Sequence, residues 1–271
     1  GRRAGGVCAK EIYRADEAYE IGELEEKLPG YLEDVEAVYH FPGKYFMFDR
    51  TLLKAWQDVR MKRWREGIMV PHEMIDLGHL LHEMRLIKTP ADMDILRQAC
   101  RISAEAHELA MRAVKPGMYE RELEALIDHY FRASAGYGAG FPTIVASGVN
   151  ACILHYIENE NRIGPYDLVL VDAGCEYEMF NGDITRTYPA SGKFTPEQRA
   201  IYDLVLKAQL EGCDECTTEN TLNDVHETAV RILVEGLVEL KLLEGSIDKI
   251  IENGDYKEFY MLKTGHFLGL D

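Results

Sequence analysis

Three helix starts are spelled out in this chain, and the chain between them decides the fold. Thr89-Pro90-Ala91-Asp92 joins a threonine cap, a proline at the first helical position and an acid in the first turn. Thr195-Pro196-Glu197-Gln198 is a capping box, and Thr221-Leu222-Asn223-Asp224 opens a further helix. After Thr89, the residues Met93, Leu96, Cys100, Ser103, His107 and Ala110 fall on one helical stripe until Pro116-Gly117. A second helix carries Leu123, Leu126, Ile127, Tyr130 and Phe131 at helical spacing and stops near Gly136. Strand signals then replace the helical period. Residues 143–146 and 152–156 read as strands about a Gly148-Val149-Asn150 turn, 168–171 as a third after Gly164-Pro165, and 183–188 as a fourth. More strand-like chain is expected after the last helix. Helices grouped against strands, instead of alternating with each one, predict an α+β fold built on an antiparallel sheet.

Residues 1–86 have a different texture. Ala37-Val38-Tyr39 and Tyr45-Phe46-Met47-Phe48 are short strand-like runs, followed by a charged segment from Val59 to Arg65 and by His72, His79 and His82. The region starts abruptly without an initiator Met, so it is read as the remainder of an N-terminal α/β domain cut at its front, with a second domain over 87–271. At 271 residues the chain has room for a sizeable core without disulfides. Its net charge of −17 argues against a nucleic-acid partner. The longest apolar runs are strand-sized, so no membrane span is expected, nor does a signal-peptide segment follow Arg2 and Arg3.

Several motifs have bland readings. Of Cys8, Cys100, Cys152, Cys175, Cys213 and Cys216, only the last two have a motif spacing. With His226 they could be half of a zinc site, but the second half is absent, and reduced cysteines of a cytoplasmic protein fit better. Gly136-Tyr137-Gly138-Ala139-Gly140 lacks the strand that a phosphate loop needs before it and reads as a flexible turn. His79-Leu80-Leu81-His82-Glu83 misses the zinc-protease helix pattern, where glutamate directly follows the first histidine.

His155, Asp172, Asp183 and His266 lie on or beside the strands, at separations of 17, 11 and 83 residues. An aspartate closing the run Leu168-Val169-Leu170-Val171 can be a turn former or an ion-pair partner. It can also face Asp183 across neighbouring strands, and two carboxylates that close need a shared cation to stay ionised. Oxygen donors with an added imidazole suit manganese, cobalt, iron or zinc. Spacing alone leaves both readings open.

Longer stretches around these residues resemble the Xaa-Pro aminopeptidase (aminopeptidase P) family. Residues 143–156, ending in Ile153-Leu154-His155-Tyr156, look like its active-site histidine segment. Val171-Asp172-Ala173-Gly174-Cys175-Glu176-Tyr177 and Gly182-Asp183-Ile184-Thr185-Arg186-Thr187 resemble its two aspartate motifs. Gly265-His266-Phe267-Leu268-Gly269-Leu270-Asp271 resembles its metal-histidine motif, and His82-Glu83-Met84-Arg85-Leu86-Ile87-Lys88 the segment leading into the catalytic domain. The resemblance implies a pita-bread fold, here incomplete: a curved antiparallel sheet flanked by paired helices.

By the same resemblance, Asp172 would bind one metal, Asp183 would bridge two, His266 would bind the other, and His155 would stabilise the oxyanion or hold the substrate carbonyl. Two divalent ions, manganese by preference, would activate a bridging water against the bond before proline. The expected partners are peptides with proline at the second position, with assembly into a homo-oligomer when complete. The family also uses two glutamate ligands and another histidine beyond the Gly-Leu-Asp at 269–271, so the chain as given is expected to be inactive alone. Leu262 stands where relatives often have histidine, and Phe267 where tryptophan is usual. A prolidase-like dipeptidase of the same fold and a non-catalytic peptide-binding domain are the alternatives.

Overall fold

A computed structural model describes residues 5–134 and 136–270, which fall into two compact units, Gly1–Ile87 and Lys88–Asp271. In the first, helices α1 (Gly5–Ile12) and α2 (Leu24–Tyr31) precede strand β1 (Ala37–His40), helix α3 (Phe46–Glu66), strand β2 (Glu73–Asp76) and helix α4 (Leu77–Leu86). β1 and β2 pair in parallel from Ala37↔Glu73 to His40↔Asp76, which requires the crossover that α3 supplies. The run Tyr45-Phe46-Met47-Phe48, expected as a strand, instead leads into α3. Its apolar pattern continues through Leu52, Ala55, Trp56 and Val59 at helical spacing, and these four residues are buried with Leu32 and Val70. Trp56 completes its polar needs by donating from Nε1 to the Pro71 carbonyl at 2.9 Å.

The second unit opens with α5 (Pro90–Ala113) and α6 (Glu120–Ala133). Thr89 and Asp92 form the expected reciprocal cap, as Thr195 and Gln198 do before α7 (Pro196–Asp214) and Thr221 and Asp224 before α8 (Leu222–Glu239). Between α6 and α7 lie β3 (Gly138–Ala139), β4 (Ile144–Ser147), β5 (Leu168–Ala173), β6 (Cys175–Tyr177), β7 (Phe180–Asn181) and β8 (Ile184–Pro189). They form two antiparallel sheets of order β4-β5-β8 and β3-β6-β7. β5 is the central strand of the first sheet. Val169, Val171 and Ala173 alternate into the core with Ile102 and Ala106 of α5 and Leu123, Ile127 and Phe131 of α6. Each large side chain buried there contributes about 1.5–3 kcal/mol.

Three further expectations from the sequence are corrected. Residues 152–156 are not a strand: Gly148–Cys152 is a 3-10 helix and the following turn holds His155 at φ 54°. The segment is held instead through the Tyr156 hydroxyl, which donates to buried Glu120 at 2.7 Å. The glycine-rich stretch at 136–140 is not simply a flexible turn, since Gly138–Ala139 pairs with β6. After α8 the chain forms α9 (Ile247–Asn253) and a 3-10 turn at Asp255–Glu258, where strand was expected. Ile250 of α9, with Ile247, Ile251 and Tyr256, packs on Val230 and Val234 of α8 and keeps a helical period.

Candidate metal centre

Because side chains alternate along β5, the residues opposite to its core-facing set emerge on the other face of the sheet. Asp172 is one of them, flanked by Ile144 of β4 and Thr185 of β8. Asp183 lies two residues before Thr185, which makes it the diagonal neighbour of Asp172 on that face. The strands approach unusually closely here. A Cβ added at Gly174 would fall 1.6 Å from the Gly182 carbonyl oxygen, and one at Gly182 would fall 2.4 Å from Ser103 Oγ. Only glycines permit this packing, and both sheets break at it, with Asp172 and Asp183 at the break.

Helix α5 fastens the same point from below. Ser103 Oγ accepts from the Cys175 amide at 2.9 Å and donates to the Ala99 carbonyl at 2.8 Å. His107, buried, donates from Nε2 to the Ala173 carbonyl at 3.2 Å. Burial holds the His107 imidazole below its usual pKa, so it stays neutral.

Asp183 Oδ2 meets His266 Nε2 at 2.9 Å. His266 Nδ1 donates to the Phe267 carbonyl at 2.9 Å, which turns Nε2 toward the carboxylate. This is the arrangement that orients a metal-binding imidazole. The Phe267 carbonyl raises the His266 pKa, with burial opposing and Asp183 and Asp172 adding to the rise. A cation drawn to Nε2 would have to displace that proton.

Asp172 Oδ1 is buried without a hydrogen-bond partner. Burial, and then the charge of Asp183, push its carboxyl up to about 6, while Thr185 and His155 pull it back. A buried carboxylate oxygen with no donor is costly, and a cation beside a second carboxylate is the species that would relieve it. The donor set therefore fits a hard or borderline divalent ion. Among the described residues, though, no three His, Cys, Asp or Glu side chains are grouped tightly enough to hold an ion as they stand. The structure brings Asp183 and His266 into contact and sets Asp172 within electrostatic range of both. His155 is exposed on its turn, and its charge is felt at Asp172.

Other sequence candidates stay apart. Cys213 and Cys216 are exposed free thiols at the end of α7, while His226 bonds to Thr264 Oγ1 at 3.0 Å. His79 and His82 lie on α4. Leu262 and Phe267 are exposed, with Lys88 Nζ 6.0 Å from the Phe267 ring. Asp271 is outside the described residues. Two cavities, of about 380 and 780 Å³, lie elsewhere: one beside Asp128 and Arg132, the other beside Asp224, His226 and Lys263.

Glu120 is a residue that sequence reading missed. It is fully buried at the start of α6 and bonds to the segment that carries His155. The signal was present: Glu120 lies on the same stripe as Leu123, Ile127 and Phe131, an acid in line with the core.

Comparison with known proteins bears on this geometry. The model of metallopeptidase family M24 matches residues 94–271. The Xaa-Pro aminopeptidase of Escherichia coli is 41% identical over 271 residues, all of this chain and 61% of that protein. Among solved structures, Pseudomonas aeruginosa aminopeptidase PepP superposes with a TM-score of 0.95 at 44% identity, over all of this chain and 61% of that one. A zinc-substituted E. coli aminopeptidase P in complex with product gives 0.95 at 41%, with the same coverage. The chain thus spans about 61% of the length of these relatives, and over that span it has their pita-bread fold.

Proposed function

The chain belongs to metallopeptidase family M24, and from that premise we propose that it serves a metal-dependent aminopeptidase that releases the N-terminal residue preceding a proline. The observation that carries this is the buried, unpartnered Asp172 Oδ1 beside Asp183, whose carboxylate is bonded to His266. Asp172, Asp183 and His266 would hold the divalent ions, two in the complete site, with Asp183 shared between them. Oxygen and imidazole donors without thiolate suit manganese, cobalt, iron or zinc, and the family resemblance favours manganese among them. When bound, the ions supply electrophilic activation of water and of the scissile carbonyl. The chain's own groups do the rest. Phe267 fixes the ring of His266 through Nδ1, Asp172 and Asp183 place negative charge at the ions, and exposed His155 can reach a substrate carbonyl to donate a hydrogen bond as charge develops on its oxygen.

The substrates are peptides with proline at the second position, and the compartment is the cytoplasm. No helix among the described residues is long and apolar enough to cross a membrane. The 271 residues alone bind metal weakly and do not turn over, since three candidate ligands hold a dinuclear site poorly. The test joins this chain to the remaining segment of the E. coli relative and measures release of the residue before proline. Manganese-dependent release that is lost in Asp183→Ala is the expected result. A correctly folded chimera without release, or with release indifferent to Asp183→Ala, would overturn the proposal.

A further inference from the structure

The loop between β4 and β5 is long and lacks regular strand, yet it must present His155 at a fixed place. Its fixing comes from Glu120. Oε1 accepts from the Ser147 amide at 2.7 Å, Ser147 Oγ at 2.7 Å and Asn150 Nδ2 at 3.2 Å. Oε2 accepts from Tyr156 Oη at 2.7 Å and the Asn161 amide at 2.9 Å. The donors bracket His155 on both sides, and Tyr156 is its direct neighbour. The backbone adds a second reason. His155 sits at φ 54°, left-handed, which a residue with a Cβ holds only when its surroundings over-determine it. Glu120 supplies that determination from a helix N-terminus, where the backbone also favours an anion.

We propose that Glu120 is the positioning residue for His155, a buried carboxylate that fixes the 147–161 loop so that the imidazole is presented on the open face beside Asp172. A glutamine could not replace it, because its amide nitrogen would face donors at one end of the side chain. The inference rests on the proposed role of His155 only for its consequence in catalysis; the loop claim is tested without it.

The experiment is amide hydrogen exchange of the 271-residue chain by mass spectrometry, with the His155 Hε1 NMR signal, assigned through its loss in His155→Ala. In Glu120→Gln, protection over 147–161 should fall at least about tenfold while α7 and α8 keep theirs, and the His155 signal should move or broaden. Tyr156→Phe removes one donor and should give the same pattern more weakly, which keeps the test decisive if Glu120→Gln does not fold. Unchanged loop protection and an unchanged His155 signal would overturn the assignment. So would an equal loss of protection across the whole unit. His155→Ala should leave loop protection intact, and its effect on release in the chimera is read separately, so either claim can fail without the other.

Discussion

The N-terminus of α6 and the junction of the two sheets at Gly174 and Gly182 each bring a carboxylate oxygen out of water, and they treat it in opposite ways. Glu120 meets five donors, and although burial pushes its carboxyl up, the bonds from Ser147, Tyr156 and Asn161 outweigh it and hold it below the usual range. Asp172 is left with a bare oxygen, a second carboxylate beside it, and a pKa raised to about 6. One carboxylate is satisfied by the chain, the other is left for something the chain does not supply. That contrast separates a residue that shapes the site from one that serves it.

The largest expected effect breaks the first half of the comparison. Glu120→Ala leaves five donors without their acceptor, four of them buried, and should destabilise the second unit by at least about 3 kcal/mol in urea unfolding. Asp172→Asn should do the reverse in the metal-free chain. Removing an ionised, unpartnered carboxylate should stabilise it by roughly 1 kcal/mol, less than the shift alone would give because the site is partly solvated. If both substitutions destabilise alike, the contrast is wrong.

Gly174→Ala probes the geometry between the two. Its methyl would collide with the Gly182 carbonyl, and relief requires the strands to part. About 1–3 kcal/mol should be lost, and manganese affinity should fall although no ligand has changed. Thermal unfolding and a manganese titration of the same variant check both.

The smallest effect is the sign of the pH dependence. A depressed carboxyl contributes stability above its unfolded value, near 4.5 for Glu120, and loses it as pH falls through its folded value. A raised one contributes below its unfolded value, near 3.8 for Asp172, and loses it as pH rises through about 6. The stability difference between the native chain and Glu120→Gln should therefore shrink on acidification below about 4.5. The difference from Asp172→Asn should grow more unfavourable to the native chain from about pH 4 to 6.

Much of this was legible in the sequence where local signals carry it. The caps at Thr89, Thr195 and Thr221 follow from spacing and turn chemistry, and the strands expected at 143–146, 168–171 and 183–188 are found at 144–147, 168–173 and 184–189. What was not legible depends on partners far along the chain. Residues 152–156 have a strand's composition, but Glu120, more than thirty residues earlier, claims their neighbourhood. The run at 45–48 is too short to tell strand from helix until the residues after it are counted. Spacing allowed Asp172 and Asp183 to face each other from neighbouring strands but could not show that paired glycines bring the chain so close there, nor that His266 reaches Asp183 while Asp172 does not complete a tight group.

The most direct measurement is calorimetric titration of manganese into the 271-residue chain and into Asp172→Asn, Asp183→Asn and Glu120→Gln. The native chain should bind a single ion weakly, with a Kd on the order of 10⁻⁴ to 10⁻³ M as for sites with few charged oxygens. Binding should vanish in both aspartate variants and persist in Glu120→Gln. Affinity unchanged by Asp183→Asn, or tight uptake of two ions by the native chain, would contradict the account.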